Sequence, residues 1–208
     1  MPDRLIERTL RAFSDELSAD TPVPGGGSAA AYAGAMGAAL AAMVARIASK
    51  KESSERMGAF AAEMDGLRVD FLRFVDEDSA AYARVADAMK RPRKTDEEKA
   101  ARQELMQTAL LAASRVPLEV ARTARRLLDA CERGVESASP MTASDIGVGA
   151  LMAEAALRGA ALNVMVNLAS IKDPAQVKAL SEDLDRVLEG ADEQRRRITD
   201  FVESRIAR

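Results

Sequence analysis

Thr21-Pro22-Val23-Pro24-Gly25-Gly26-Gly27-Ser28, continuing into the alanine-rich run from Ala29 to Ala45, is the stretch around which the rest of the chain is ordered. Two prolines stop one helix, three glycines free the backbone, and Ser28 is placed to cap the helix that follows. With φ released at three successive residues, neighbouring N–H groups can converge on one point, where the next helix adds its partial positive charge. The junction is therefore a candidate anion site for a phosphate or a carboxylate. A flexible connector that lets two helices pack closely is the alternative, and the local residue types alone favour it.

Outward from this stretch the apolar period is helical throughout. Leu5, Ile6, Leu10, Phe13 and Leu17 give an amphipathic helix over Arg4 to Leu17. The second helix runs from Ser28 to about Ser49, with Gly34, Gly37, Ala38 and Ala41 forming a small-residue surface for close approach, and Lys50-Lys51 at its C-terminal end. Ser53 to Lys90 holds no proline and reads as one long helix, with Gly58 and Gly66 as candidate bends. Thr95-Asp96-Glu97-Glu98 is a capping box opening a fourth helix to about Arg133, kinked by Pro117 near Ala113 and stopped by Gly134. Thr142 starts a fifth helix to about Ile171. Asp173 and Pro174 cap a sixth, with a candidate bend at Gly190 before Ile198, Val202 and Ile206. No stretch alternates with period two. The expected fold is all-α, a single-domain up-and-down bundle of about six long and medium helices over residues 1–208. Its weakly polar second and fifth helices predict a homodimer.

Composition narrows the function. The chain has 208 residues, a net charge of -3, five Phe, two Tyr and no Trp, which argues against nucleic acid as a partner. From Thr21 to Ala45 it is uncharged and long enough to span a bilayer, but it is mostly Ala and Gly and reads as buried in protein, with no membrane role. Met1 to Leu17 is charged throughout and shows no signal peptide. With Cys131 as the only cysteine there is no disulfide, and a cytoplasmic location is expected. The absence of histidine excludes His-based triads, bases and metal sites, leaving a carboxylate, lysine, tyrosine or the thiol for proton transfer.

Among many acids, position selects. Phe71, Phe74, Val75, Asp78, Tyr82, Val85 and Met89 fall on one stripe of the third helix, with Asp78 near its middle and Asp70, Asp76 and Glu77 off it. An acid on an apolar face is costly to ionise, so Asp78 should have a raised pKa unless it forms a buried ion pair or meets a helix terminus. Asp145, Asn163 and Asn167 share one side of the fifth helix, but Asp145 and Asn163 are roughly 27 Å apart and cannot hold one small group. The residue types alone favour Asp145 as an ordinary first-turn acid or capping-box member. Glu154 and Arg158 look like an i, i+4 pair. Lys50, Lys51, Arg91, Arg93 and Lys94 are solvated charges or a cluster for a polyanionic tail.

In order and spacing these stretches resemble the cyclodeaminase/cyclohydrolase family of folate enzymes. The resemblance rests on Thr21 to Ser28, Gly34 to Leu40 with Met43-Val44, Val75-Asp76-Glu77-Asp78 with Ala81-Tyr82, Thr95 to Lys99, Val116-Pro117-Leu118, Ser144-Asp145, and Ala160 to Val164 with Val166-Asn167. It implies a dimer with folate near the subunit interface, neither metal nor cofactor, and a catalytic carboxylate at Asp78, with Asp145 as a second catalytic candidate. Pro24, Gly25, Gly26, Gly27, Ser28, Asn163 and Asn167 then become substrate-binding candidates, with Lys50, Lys51 and Arg93 for the glutamate tail. Two stretches depart from the family pattern: Ala48-Ser49-Lys50-Lys51-Glu52 lacks the usual glycine before the lysine run, and Pro92-Arg93-Lys94 replaces Pro-Lys-Asn. The implied activity is hydrolysis of 5,10-methenyltetrahydrofolate, with formimidoyltetrahydrofolate cyclodeamination as the near alternative. A non-catalytic folate-binding or scaffold dimer is the alternative of another class.

Overall fold

The structure, a computed structural model, describes residues 4–52 and 55–207, except for the side chains of Lys51 and Glu52. Seven α-helices occur among them: α1 Leu10–Leu17, α2 Gly26–Glu52, α3 Glu55–Met89, α4 Asp96–Gly134, α5 Ala143–Leu168, α6 Pro174–Leu188 and α7 Ala191–Ile206. There is no strand among the described residues. Helices α2 to α5 alternate in direction and enclose the core, while α6 and α7 lie against α4 and α5.

The caps behave as their chemistry dictates. Thr95 Oγ1 accepts from the Glu98 N–H at 3.2 Å and the Glu98 carboxylate accepts from the Thr95 N–H at 3.2 Å, completing the capping box of α4. Asp173 accepts from the Ala175 N–H at 2.9 Å and the Gln176 N–H at 3.3 Å, with Pro174 opening α6.

Small residues decide how closely α2 packs. A Cβ at Gly34 would strike the Phe71 ring, and one at Gly37 would lie 2.8 Å from the Gly149 carbonyl of α5. Phe71 is fully buried in that notch, worth about 1.5–3 kcal/mol by transfer of its apolar area. Together α2 and α5 pass the length and hydropathy test for crossing a membrane. Here α2 is a core helix, lined by Ala31, Ala35, Ala38, Ala41 and Ala42.

Several expectations are corrected. The first segment is a 3-10 turn over Leu5–Glu7 followed by α1, because Thr9 caps a new start by accepting from the Ala12 N–H at 3.1 Å. Ser28 is not the cap of α2: the helix begins two residues earlier, and the Gly25 carbonyl accepts from Ala29 N–H at 3.0 Å. Both Gly58 and Gly66 are passed without a break in α3, whose expected start at Ser53 lies outside the described residues. Gly134 does not stop α4 with a left-handed turn. Its φ is -88°, and its need for glycine is steric, since a Cβ would meet the Phe60 ring at 2.8 Å. Gly190 divides two helices outright, at φ 67°. Finally, Glu154 and Arg158 do not pair with each other; each crosses to α7, Glu154 to Arg195 at 3.0 Å and Arg158 to Asp192 at 2.5 Å.

Candidate active site

The anion at the glycine junction belongs to the protein itself. Asp78 reaches from α3 to the first turn of α2, where its carboxylate occupies the space a Cβ on Gly27 would take. The Ser28 side chain, fully buried, lies 3.0 Å from Asp78 Oδ2, 2.9 Å from the Val75 carbonyl oxygen and 3.2 Å from the Ser79 hydroxyl. Its backbone N–H also donates to Asp78. Burial pushes the Asp78 carboxyl above its ordinary value, and the two Ser28 hydrogen bonds offset only part of that rise.

The Ser28 hydroxyl has one proton and three oxygens within reach, those of Asp78, Val75 and Ser79. It can donate to an ionised Asp78, or turn to the Val75 carbonyl and accept from a protonated one. Both protonation states of the acid are therefore hydrogen-bonded, as a group that takes and returns a proton requires.

The run Val75-Asp76-Glu77-Asp78 divides its acids by direction. Asp76 accepts from the Leu5 N–H at 2.8 Å and from Arg4 Nε at 3.0 Å, holding the N-terminal segment, and Glu77 pairs with Arg73 at 2.7 Å. Only Asp78 of the three lines a cavity of about 380 Å³, together with Gly25, Gly26, Gly27, Tyr82, Met89, Asn163, Val166 and Asn167. Asn163 Nδ2 donates to the Gly159 carbonyl at 2.8 Å, and Asn167 Nδ2 donates to the Ala113 carbonyl at 3.0 Å. Buried Pro24 stands behind this wall, whose cavity face comes from Pro22, Val23 and Gly25.

Other candidates stand elsewhere. Asp145 lies in the first turn of α5, half-buried and away from the cavity, beyond the length of helix that separates it from Asn163. Lys50 is exposed near the end of α2, roughly 36 Å along the helix from Gly26. The side chain of Lys51 lies outside the described residues. Arg93 lines a shallow basin with Lys99, Arg102 and Lys172. That basin borders the cavity: Arg102 donates to the carbonyl of Met89 at 3.3 Å and Gln107 to the carbonyl of Ser170 at 3.1 Å, and both acceptor residues line the Asp78 cavity.

Sequence reasoning missed Pro22, Val23, Val166, Ser170 and the cations Lys99, Arg102 and Lys172. Tyr82 and Met89 were on the Asp78 stripe and could have been drawn from it; the cations carry no local signal. Cys131 is removed as a proton-transfer group, since full burial pushes its thiol up to about 12. Among the described residues no three His, Cys, Asp or Glu side chains gather as a metal set.

A helical bundle that holds one raised, partly buried carboxylate against a helix start, beside an open cavity, offers a group suited to proton transfer without histidine. The chain is a member of the formiminotransferase-cyclodeaminase family, whose profile matches residues 9–186. It is 38% identical to the methenyltetrahydrofolate cyclohydrolase of Methylorubrum extorquens over 202 residues, 95% of this chain and 97% of that one. It is 32% identical to the formimidoyltransferase-cyclodeaminase of Gallus gallus over 98% of this chain, which corresponds to 38% of that longer protein. The crystal structure of formiminotetrahydrofolate cyclodeaminase from Thermotoga maritima superposes with a TM-score of 0.84 at 28% identity, covering 95% of this chain and 97% of that one.

Proposed function

We propose that the chain hydrolyses 5,10-methenyltetrahydrofolate to 10-formyltetrahydrofolate, with Asp78 as the general base. The observation that carries this reading is the half-buried Asp78 carboxylate, its pKa raised by desolvation, facing a cavity of about 380 Å³. Identity of 38% to a named cyclohydrolase across nearly both whole chains supports it.

The amidinium carbon of the substrate is already electrophilic. Water adds its oxygen there as its proton passes to Asp78, whose negative charge has until then stabilised the cationic ring. Ser28 turns to the Val75 carbonyl as the acid becomes neutral. The neutral adduct collapses by breaking the bond to N5, which receives the proton from Asp78. The adduct hydroxyl becomes the formyl carbonyl and releases its proton to solvent. One water is consumed and one net proton is released.

The glutamate tail runs in this reading to the basin of Arg93, Lys99, Arg102 and Lys172 at the cavity's edge. Contact by Lys50 or Asp145 with the same folate requires a second copy of the chain. We read the protein as a homodimer through the outward face of α2 and α5, where Met36, Met43, Val148 and Leu151 are exposed and Gly37 holds the two helices together. Leu151→Glu should lower the molecular mass measured by sedimentation; an unchanged mass removes this face as the interface.

The test is a paired absorbance assay. Loss of methenyl absorbance on adding enzyme, abolished in Asp78→Asn, is the expected result. Gain of that absorbance from 5-formiminotetrahydrofolate supports the second reading, cyclodeamination with release of ammonia, which the likeness to the Thermotoga maritima cyclodeaminase favours. Folate binding without either turnover would leave a binding or scaffold protein.

A further inference from the structure

Pro117 lies inside α4 and has no N–H to give to the carbonyl of Ala113, four residues back. That carbonyl is instead met from the neighbouring helix by Asn167 Nδ2 at 3.0 Å. A carbonyl oxygen accepts only from the amino end of an amide, so this bond fixes which way the Asn167 side chain is turned. One turn earlier, Asn163 is turned by the same logic, with Nδ2 on the carbonyl of Gly159 at 2.8 Å. Both asparagines line the Asp78 cavity, and neither Oδ1 has a protein donor among the described residues.

We infer that Asn163 and Asn167 form an acceptor wall that reads the N–H donor edge of the bound ring, and that Pro117 is the positioning residue that orients Asn167. This inference rests on the folate reading above. The 2-amino-4-oxopyrimidine part of a pterin offers such an edge, with donors on the exocyclic amino group and the adjacent ring nitrogen. Two fixed acceptor oxygens complement it, whereas a freely turning amide would present its own donors for half of the time. In Pro117→Ala the new N–H competes for the Ala113 carbonyl and frees Asn167 to turn.

The test uses 5-formyltetrahydrofolate, whose pterin is intact, and an analogue with the 2-amino group replaced by methyl, both titrated calorimetrically into the full chain. Wild type should bind the first about tenfold more tightly, the equivalent of one net hydrogen bond. Asn167→Ala should bind both alike. Pro117→Ala should lose most of the same preference, and the double variant should bind no more weakly than Asn167→Ala, since both changes act through one amide. Full preference retained in Asn167→Ala, or additive losses in the double variant, overturns the inference while leaving folate binding intact. Failure of wild type to bind either probe overturns it together with the folate reading.

Discussion

The two ends of α2 each carry a cavity, and their chemistry differs: two arginines and Glu136 line one, and the raised acid Asp78 lines the other. At the C-terminal end, a cavity of about 450 Å³ is lined by Ile47, Ala48, Arg56, Ser139, Thr142 and Arg205 among others. At the N-terminal end the cavity is smaller, about 380 Å³, but it contains a half-buried acid with a raised pKa and two amide oxygens that meet no protein donor among the described residues. Helix polarity favours the acid where it stands: a carboxylate is stabilised at the N-terminal N–H groups of α2. Size alone would select the end that lacks the raised carboxyl. The acid with a displaced pKa, and not the volume, marks where proton chemistry can occur.

The largest expected effect tests that distinction directly. Asp78→Asn should lower kcat by about 10²- to 10⁴-fold, the range of a general base, with the fold intact by circular dichroism. Asp145→Asn, at the other end, should cost less than about tenfold on the same scale. Equal losses in steady-state assays would break the distinction and carry Asp145 into the reaction through a second copy of the chain.

Next in size is a pair of glycines in the same bundle. Gly27→Ala puts a methyl group where the Asp78 carboxylate lies, so it should displace the acid, destabilise by about 1–3 kcal/mol as overpacking does, and remove most activity. Gly58→Ala meets nothing within 4 Å and lies inside α3, so it should stabilise by about 0.5–1 kcal/mol and leave kcat alone. Thermal melts with paired rate assays distinguish the two. Equal behaviour would mean that the carboxylate does not depend on the contact at Gly27.

How far the sequence carried this site depends on what kind of signal each residue had. Asp78 was legible because a lone acid on an apolar stripe breaks a pattern, and the pattern is local. The Thr95 box and the Asp173-Pro174 start were legible for the same reason, since their hydrogen bonds close within a few residues. The glycine run read as a place for close approach, with a connector favoured over an anion site, and the close approach is what Gly27 makes, to the Asp78 carboxyl. Which anion occupies it was not legible, because Gly27 and Asp78 are brought together only by the antiparallel packing of α2 on α3. Pro117 signalled a freed carbonyl at Ala113, yet nothing in the sequence said that Asn167 would meet it. The distance of Asp145 and Lys50 from the cavity was legible, by contrast, because helix length alone puts Asp145 roughly 27 Å from Asn163 and Lys50 at the far end of α2 from the glycine junction. Gly134 shows the converse error, where a residue type suited to a helix stop is there for a ring from another helix.

The smallest effect concerns the energetic cost of keeping Asp78 charged. Its folded-state pKa is raised, so the folded protein holds this proton more tightly than the unfolded chain does. The contribution to stability is therefore fully present below the ordinary carboxylate pKa of about 3.9 and is lost as pH rises through the raised value. At neutral pH the ionised acid is a net burden, and Asp78→Asn should melt higher than wild type. As pH falls below the raised pKa the wild-type acid becomes neutral as well, and the gap should close. Activity must move in the opposite direction, because the base works only when ionised: kcat/KM should fall as pH drops through the same value in the free enzyme. The two curves share one midpoint only if one group sets both. A melting-temperature gap between wild type and Asp78→Asn that is independent of pH, alongside a pH-dependent rate, would separate the buried acid from the catalytic base and return the chemistry to another residue of the cavity.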